Sequence, residues 1–169
     1  AVKIDSFAYL PVQDFGNAFS TFTAQNYGAG QSSRIKEALK KATILSAAFS
    51  SAAAAAVFIF AEPLMRIFVS ASETEVIAAG VRYLHIEGVF YAGIGCLFLL
   101  YGFYRAVEKP GMSVVLTVIS LGTRVLLAYL LAGIIGEIGI WISVPIGWLL
   151  ADITGYGYCI LKRKRLFSD

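Results

Sequence analysis

The side chains of this chain best able to do chemistry are a few acids, amides and one arginine set inside long apolar stretches. Asp14 is the foremost. It stands near the middle of a stretch from Ile4 to Ala24, three residues after Pro11, with Gln13, Asn17 and Gln25 along the same stretch. At helical spacing Leu10, Asp14, Asn17, Thr21 and Gln25 share one face. An ionisable group at a bilayer centre costs at least ~2.5 kcal/mol, so such a face must look at other helices or at water. Two roles fit Asp14: an acid that responds to a cation or proton in a solvated cavity, or an interhelical hydrogen-bond staple. Pro11 removes one backbone bond and can bend its helix, freeing a carbonyl near Phe7.

Further candidate positions lie in apolar surroundings. Glu87 is the deepest acid of its stretch and a candidate for protonation. Tyr91 and Phe7 are candidates, on depth alone, for holding an organic cation against a ring face. Arg124 and Asp152 lie within later stretches and read as structural polar groups; their depths differ by a turn or two, which argues against direct contact. Asp5 and Lys3 fall at the end of the first stretch, where an interface would solvate them. His85 has no second histidine at HExxH spacing, so no metal site is expected. GxSxG elbows, glycine-rich phosphate loops and GxGD motifs are all missing from the sequence, and no enzyme is expected.

The elements that must position these residues follow from composition. Of 169 residues, 58% are apolar and 15% are charged, well short of the quarter usual in soluble domains. Ala42 to Ala61 holds no ionisable residue over 20 positions, enough to cross ~30 Å of hydrocarbon. Disorder, a disulfide scaffold and nucleic-acid binding fit this composition poorly. Five membrane-spanning helices are predicted, at about 4–24, 42–61, 75–104, 110–133 and 139–161. Their apolar runs are continuous rather than alternating, which excludes barrel strands. The second is expected to stop before Pro63, and residues 62–74 to form a short interfacial helix. Cys96 and Cys159 read as small buried hydrophobes.

Basic residues set the orientation. One side holds Arg34, Lys36, Lys40, Lys41, Arg105, Lys109, Lys162, Arg163, Lys164 and Arg165; the other holds Lys3, Arg66 and Arg82. That bias puts the start outside and the C-terminus in the cytoplasm, with Lys162 to Arg165 as a cytoplasmic anchor at an anionic lipid surface. An external start with an odd helix count suggests further helices upstream.

The runs Lys3-Ile4-Asp5-Ser6-Phe7-Ala8-Tyr9-Leu10-Pro11, Gly16-Asn17-Ala18, Ala24-Gln25-Asn26-Tyr27-Gly28-Ala29-Gly30 and Arg34-Ile35 resemble the multidrug and toxic compound extrusion (MATE) transporters. Phe68, Gly102 with Arg105 before Pro110, and Arg124 extend the resemblance over essentially the whole chain. It implies an all-α integral membrane protein: five helices forming most of one six-helix lobe of a twelve-helix transporter. By this likeness the chain is the C-terminal lobe, its partner the missing N-terminal lobe, and the location the inner (plasma) membrane. The implied activity is export of cationic, amphipathic drugs in exchange for sodium ions or protons, with no cofactor. The acid some members carry in the middle of the tenth helix falls here on Ala92-Gly93-Ile94-Gly95-Cys96, which holds none. Related flippases for lipid-linked cell-wall or polysaccharide precursors are the alternative; they would need several cavity-facing cations.

Overall fold

The computed structural model describes residues 1–162 and 166. Among them lie six helices: α1 (Val2–Gly28), α2 (Ser32–Phe68), α3 (Thr74–Gly88), α4 (Tyr91–Ala106), α5 (Pro110–Ile135) and α6 (Glu137–Leu161). Arg163, Lys164 and Arg165 of the expected anchor lie outside the described residues. The fold is an all-α membrane lobe. By length and composition α2, α5 and α6 can each cross a bilayer, and so can α3 and α4 taken together. Helix α1 is long enough at 27 residues, about 40 Å. It carries too many polar groups to pass on composition, and so needs a setting other than lipid on one face.

Two departures from the sequence expectation concern helix ends. Helix α2 does not stop before Pro63; it runs on to Phe68, absorbing most of the expected interfacial helix. Proline removes only one rung, the donor for the Ile59 carbonyl. Packing and charge hold the turn across the gap: Ala61 and Met65 are buried in one apolar cluster with Ile77 and Leu84 of α3, and Arg66 pairs with Glu62 at 2.7 Å. The third expected span, 75–104, is broken. Helices α3 and α4 meet at 53° across Val89 and Phe90. The Phe90 amide turns back onto the Glu87 carbonyl at 3.0 Å, and the Gly93 amide onto Phe90 at 2.9 Å. Tight turns of this kind bend a helix without proline.

Helix α4 is the centre of the lobe. Leu99, Leu100, Phe103 and Tyr104 are wholly buried among residues of α1, α2, α5 and α6. Helices α1 and α4 cross in contact: a Cβ at Gly102 would lie 2.5 Å from the Gly16 carbonyl oxygen, and one at Gly16 would lie 2.9 Å from that of Phe98. Small residues let two membrane helices approach to backbone contact, where dispersion and hydrogen bonds hold them. The Ser20 hydroxyl supplies such a bond, donating to the Gly102 carbonyl at 2.9 Å. Helix α5 is bare by contrast, with only Leu116 and Ser120 buried. It turns into α6 at Gly136, whose φ of 63° is a conformation that favours glycine.

Candidate functional site

The half of the lobe where α1 and α6 begin, the outer half in the orientation expected from the basic residues, encloses a cavity of about 500 Å³ between α1, the α3–α4 bend, α5 and α6. Asp5, Tyr9 and Gln13 line it from α1, at the i, i+4, i+8 spacing of one helical face. Tyr83 and Glu87 enter from the end of α3, and Tyr91 and Phe98 from α4. Arg124 stands on the α5 wall, Trp141 and Trp148 on α6. The bend sets the geometry. Glu87 and Tyr91 sit on either side of it, so a single change of axis directs the last turn of α3 and the first turn of α4 into one space.

Asp5 is the best-held acid there. It is only 5% exposed, the Tyr91 hydroxyl donates to it, and Tyr83 lines the same cavity. Interface solvation is the sequence expectation for Asp5; the structure overturns it, because α1 starts beside the α3–α4 bend with Ile4 and Asp5 buried. Only the tertiary pairing with Tyr91, 86 positions away, reveals this. Glu87 is 2% exposed, and its Oε1 has no hydrogen-bond partner among the described residues. Arg124 lines this cavity and Asp152 does not, in line with the difference in depth between them. Asp152 lies on the far side of Trp148, near Gly93, and its Oδ1 is likewise buried without a partner among the described residues.

A second cavity of about 270 Å³ continues the same face towards the other end of the lobe. Gln13 and Phe98 line both, so the two form one groove pinched at those side chains. Asn17 lines the inner part and accepts a hydrogen bond from Arg105 at 3.2 Å. Asp14 lines neither cavity. Together with Leu10, Asn17, Thr21 and Gln25 it is exposed along one side of α1, which places it on the rim of the groove facing away from the lobe. Phe7 is 72% exposed and also outside both cavities. His85 points elsewhere: its ring stacks on Phe58 with centroids 4.0 Å apart, and its Nε2 lies 3.1 Å from the Phe58 carbonyl.

The structure is a helical membrane lobe, bare along α5 and polar along one side of α1, with a groove of acids and aromatics between them. The family model described as MatE matches residues 1–130. The chain belongs to the MatE family. It is 28% identical over 99% of its length to the probable multidrug resistance protein YpnP of Bacillus subtilis, covering 38% of that protein. It is 24% identical over 90% of its length to the probable multidrug resistance protein NorM of Thermotoga maritima, covering 32%. A protein of Shewanella oneidensis described as an FAD transporter is 27% identical over 91% of the chain, which covers 34% of it. Among solved structures, an inward-facing multidrug resistance MATE family transporter superposes with a TM-score of 0.88 at 21% identity. A MATE in complex with MaL6 gives 0.90 at 20%; the chain covers 38% of each. These two share the fold. The chain thus spans about a third to two-fifths of the length of the relatives it matches.

Proposed function

We propose that this chain is the C-terminal lobe of a secondary active antiporter that exports cationic, amphipathic drugs in exchange for sodium ions or protons. The observation that carries the reading is the outer cavity, where two buried carboxyl groups, Asp5 and Glu87, face a space walled by Tyr9, Tyr83, Tyr91, Trp141 and Trp148. Ring faces attract organic cations, and a carboxyl group buried in a membrane protein without a partner is stable only when a proton or cation neutralises it. The names of the Bacillus and Thermotoga relatives support drug export.

In this mechanism the N-terminal lobe of the same chain closes the groove against the open sides of α1 and α5. Asp14, on the rim, adds negative charge where the lobes meet, and Gln13 and Asn17 offer hydrogen bonds along the path. Ion or proton uptake at Glu87 and Asp5 favours the outward-facing state and releases the drug. That shift requires the ion to bind the two states with different affinity. On this reading the protein sits in the inner (plasma) membrane with its C-terminus in the cytoplasm, an orientation that the bias of basic residues supports. A flippase for lipid-linked precursors is the weaker reading, because among the described residues Arg124 is the one Lys or Arg lining the cavity against two acids.

The test is efflux of a fluorescent organic cation by the full-length protein in vesicles, with sodium and proton gradients imposed separately. Gradient-driven efflux lost in Glu87→Gln supports the reading. Folded protein that moves no cation under either gradient overturns it and favours the flippases.

A further inference from the structure

From two lysines set at the mouth of an apolar groove between membrane helices, we infer that the lobe holds one anionic phospholipid between the start of α2 and the end of α6. The groove is separate from the outer cavity, and what it binds does not depend on the transport reading. It measures about 580 Å³ and is lined by Lys36, Lys40, Thr43 and Ile44 of α2 and by Tyr156 and Ile160 of α6. The four α2 residues stand at i, i+4, i+7 and i+8, one helical face that spans about 12 Å along the axis. Leu39 and Cys159, both buried, close the floor, while Ile44 and Ile160 are exposed at the open edge.

Charge and apolarity are ordered along this groove as they are along a lipid. The lysines come in the first turns of α2, at the end of the lobe where the basic residues gather, and Ile44 lies one to two turns deeper. Basic side chains at that level of a membrane helix attract anionic headgroups. No acid lines the groove among the described residues; Glu37, next along α2, is exposed and pairs with Lys41 at 2.7 Å. A zwitterionic headgroup would bring an ammonium towards the lysines with no carboxylate to receive it, so an anionic one is preferred. Below the lysines the polar groups are already engaged: Thr43 donates to the Leu39 carbonyl at 2.9 Å and pairs with the Tyr156 hydroxyl at 3.0 Å. What remains is apolar contact open to hydrocarbon. That suits an acyl chain and gives a free phosphate or a nucleotide nothing to rest on.

The test is native mass spectrometry of the purified full-length protein in detergent, with dioleoyl phosphatidylglycerol, dioleoyl phosphatidylcholine and glycerol 3-phosphate as separate probes. The first phosphatidylglycerol is expected to bind about tenfold or more tightly than phosphatidylcholine, and glycerol 3-phosphate is expected not to compete with it. Lys36→Gln combined with Lys40→Gln is expected to weaken phosphatidylglycerol binding by about tenfold or more, at roughly fivefold for each lysine. Ile44→Trp fills the groove and keeps both charges; it is expected to weaken binding several-fold and gives a second test should the lysine pair fail to fold. Arg34→Gln combined with Lys41→Gln removes the same charge from exposed positions of α2 outside the groove, and is expected to leave binding within about twofold of the wild type. Equal losses in the lysine pair and this control would mean a general attraction of the basic face and overturn the site. Equal affinity for the two lipids, competition by glycerol 3-phosphate alone, or binding that Ile44→Trp leaves unchanged overturns it as well.

Discussion

The phenol of Tyr91, at the first turn of α4, hydrogen-bonds to the carboxyl of Asp5, at the first turn of α1. Both residues are almost wholly buried, at 2% and 5% exposure. The bond ties the start of the chain to the bend that divides α3 from α4, and through the bend to Glu87. A buried carboxyl group left without its donor bears the desolvation penalty alone.

Tyr91→Phe is therefore expected to destabilise the lobe by about 1–3 kcal/mol. Adding Asp5→Leu should restore part of that loss, since removing both partners of a buried bond costs less than removing one. Thermal melting of the single and double variants in detergent measures the coupling. Additive losses would mean the bond contributes nothing.

Glu87→Gln replaces a buried carboxyl by an amide of the same shape. Its stability is expected to match or exceed that of the wild type, by up to about 1 kcal/mol, while gradient-driven efflux falls at least tenfold. Glu87→Lys, which sets a longer charged chain in the same packing, is expected to cost about 3 kcal/mol or more. Melting temperature and vesicle efflux check the two halves of this expectation separately.

Gly102→Val sets a branched side chain against the Gly16 carbonyl, where even a Cβ would lie 2.5 Å from the oxygen. Helices α1 and α4 would have to separate, with the Ser20 bond to Gly102 lost as well. A loss of about 3 kcal/mol or more is expected for Gly102→Val, and about 1–3 kcal/mol for Gly102→Ala. Denaturation of the purified protein gives both values; near-neutral effects would show that the crossing is loose.

Asp14→Asn is expected to leave stability within about 0.5 kcal/mol of the wild type, because the side chain is exposed. Efflux of an organic cation by the full-length protein should nevertheless fall several-fold if the rim charge attracts cargo. Unchanged efflux would leave Asp14 no part in transport.

Asp152→Asn should be neutral or stabilising by about 1 kcal/mol. The Oδ1 atom has no partner among the described residues, so the acid contributes burial cost without a compensating bond. A marked loss in melting temperature would instead assign Asp152 a partner in the full-length protein.

The amino-acid sequence by itself determined the class and the family. Continuous apolar runs near twenty residues long admit only membrane helices, because backbone groups in lipid must be satisfied within the segment. The Gln25-Asn26-Tyr27-Gly28-Ala29-Gly30 signature carries the resemblance to MATE transporters, and the family match covers the same residues. Local pattern also picked out Glu87, Tyr91 and Gln13, which reach the outer cavity. It misplaced those whose environment depends on distant chain. Asp5 looked solvated because nothing near it in sequence covers it; α4 does. That Arg124 lines a cavity could not be read locally, because its wall exists only once α5 stands beside α6. Pro63 looked like a stop because a missing rung is local, whereas the burial of Ala61 and Met65 on α3 is not. The break at Val89 and Phe90 carries no proline to announce it, and it is the tertiary structure that sets Glu87 and Tyr91 on either side of it in one cavity.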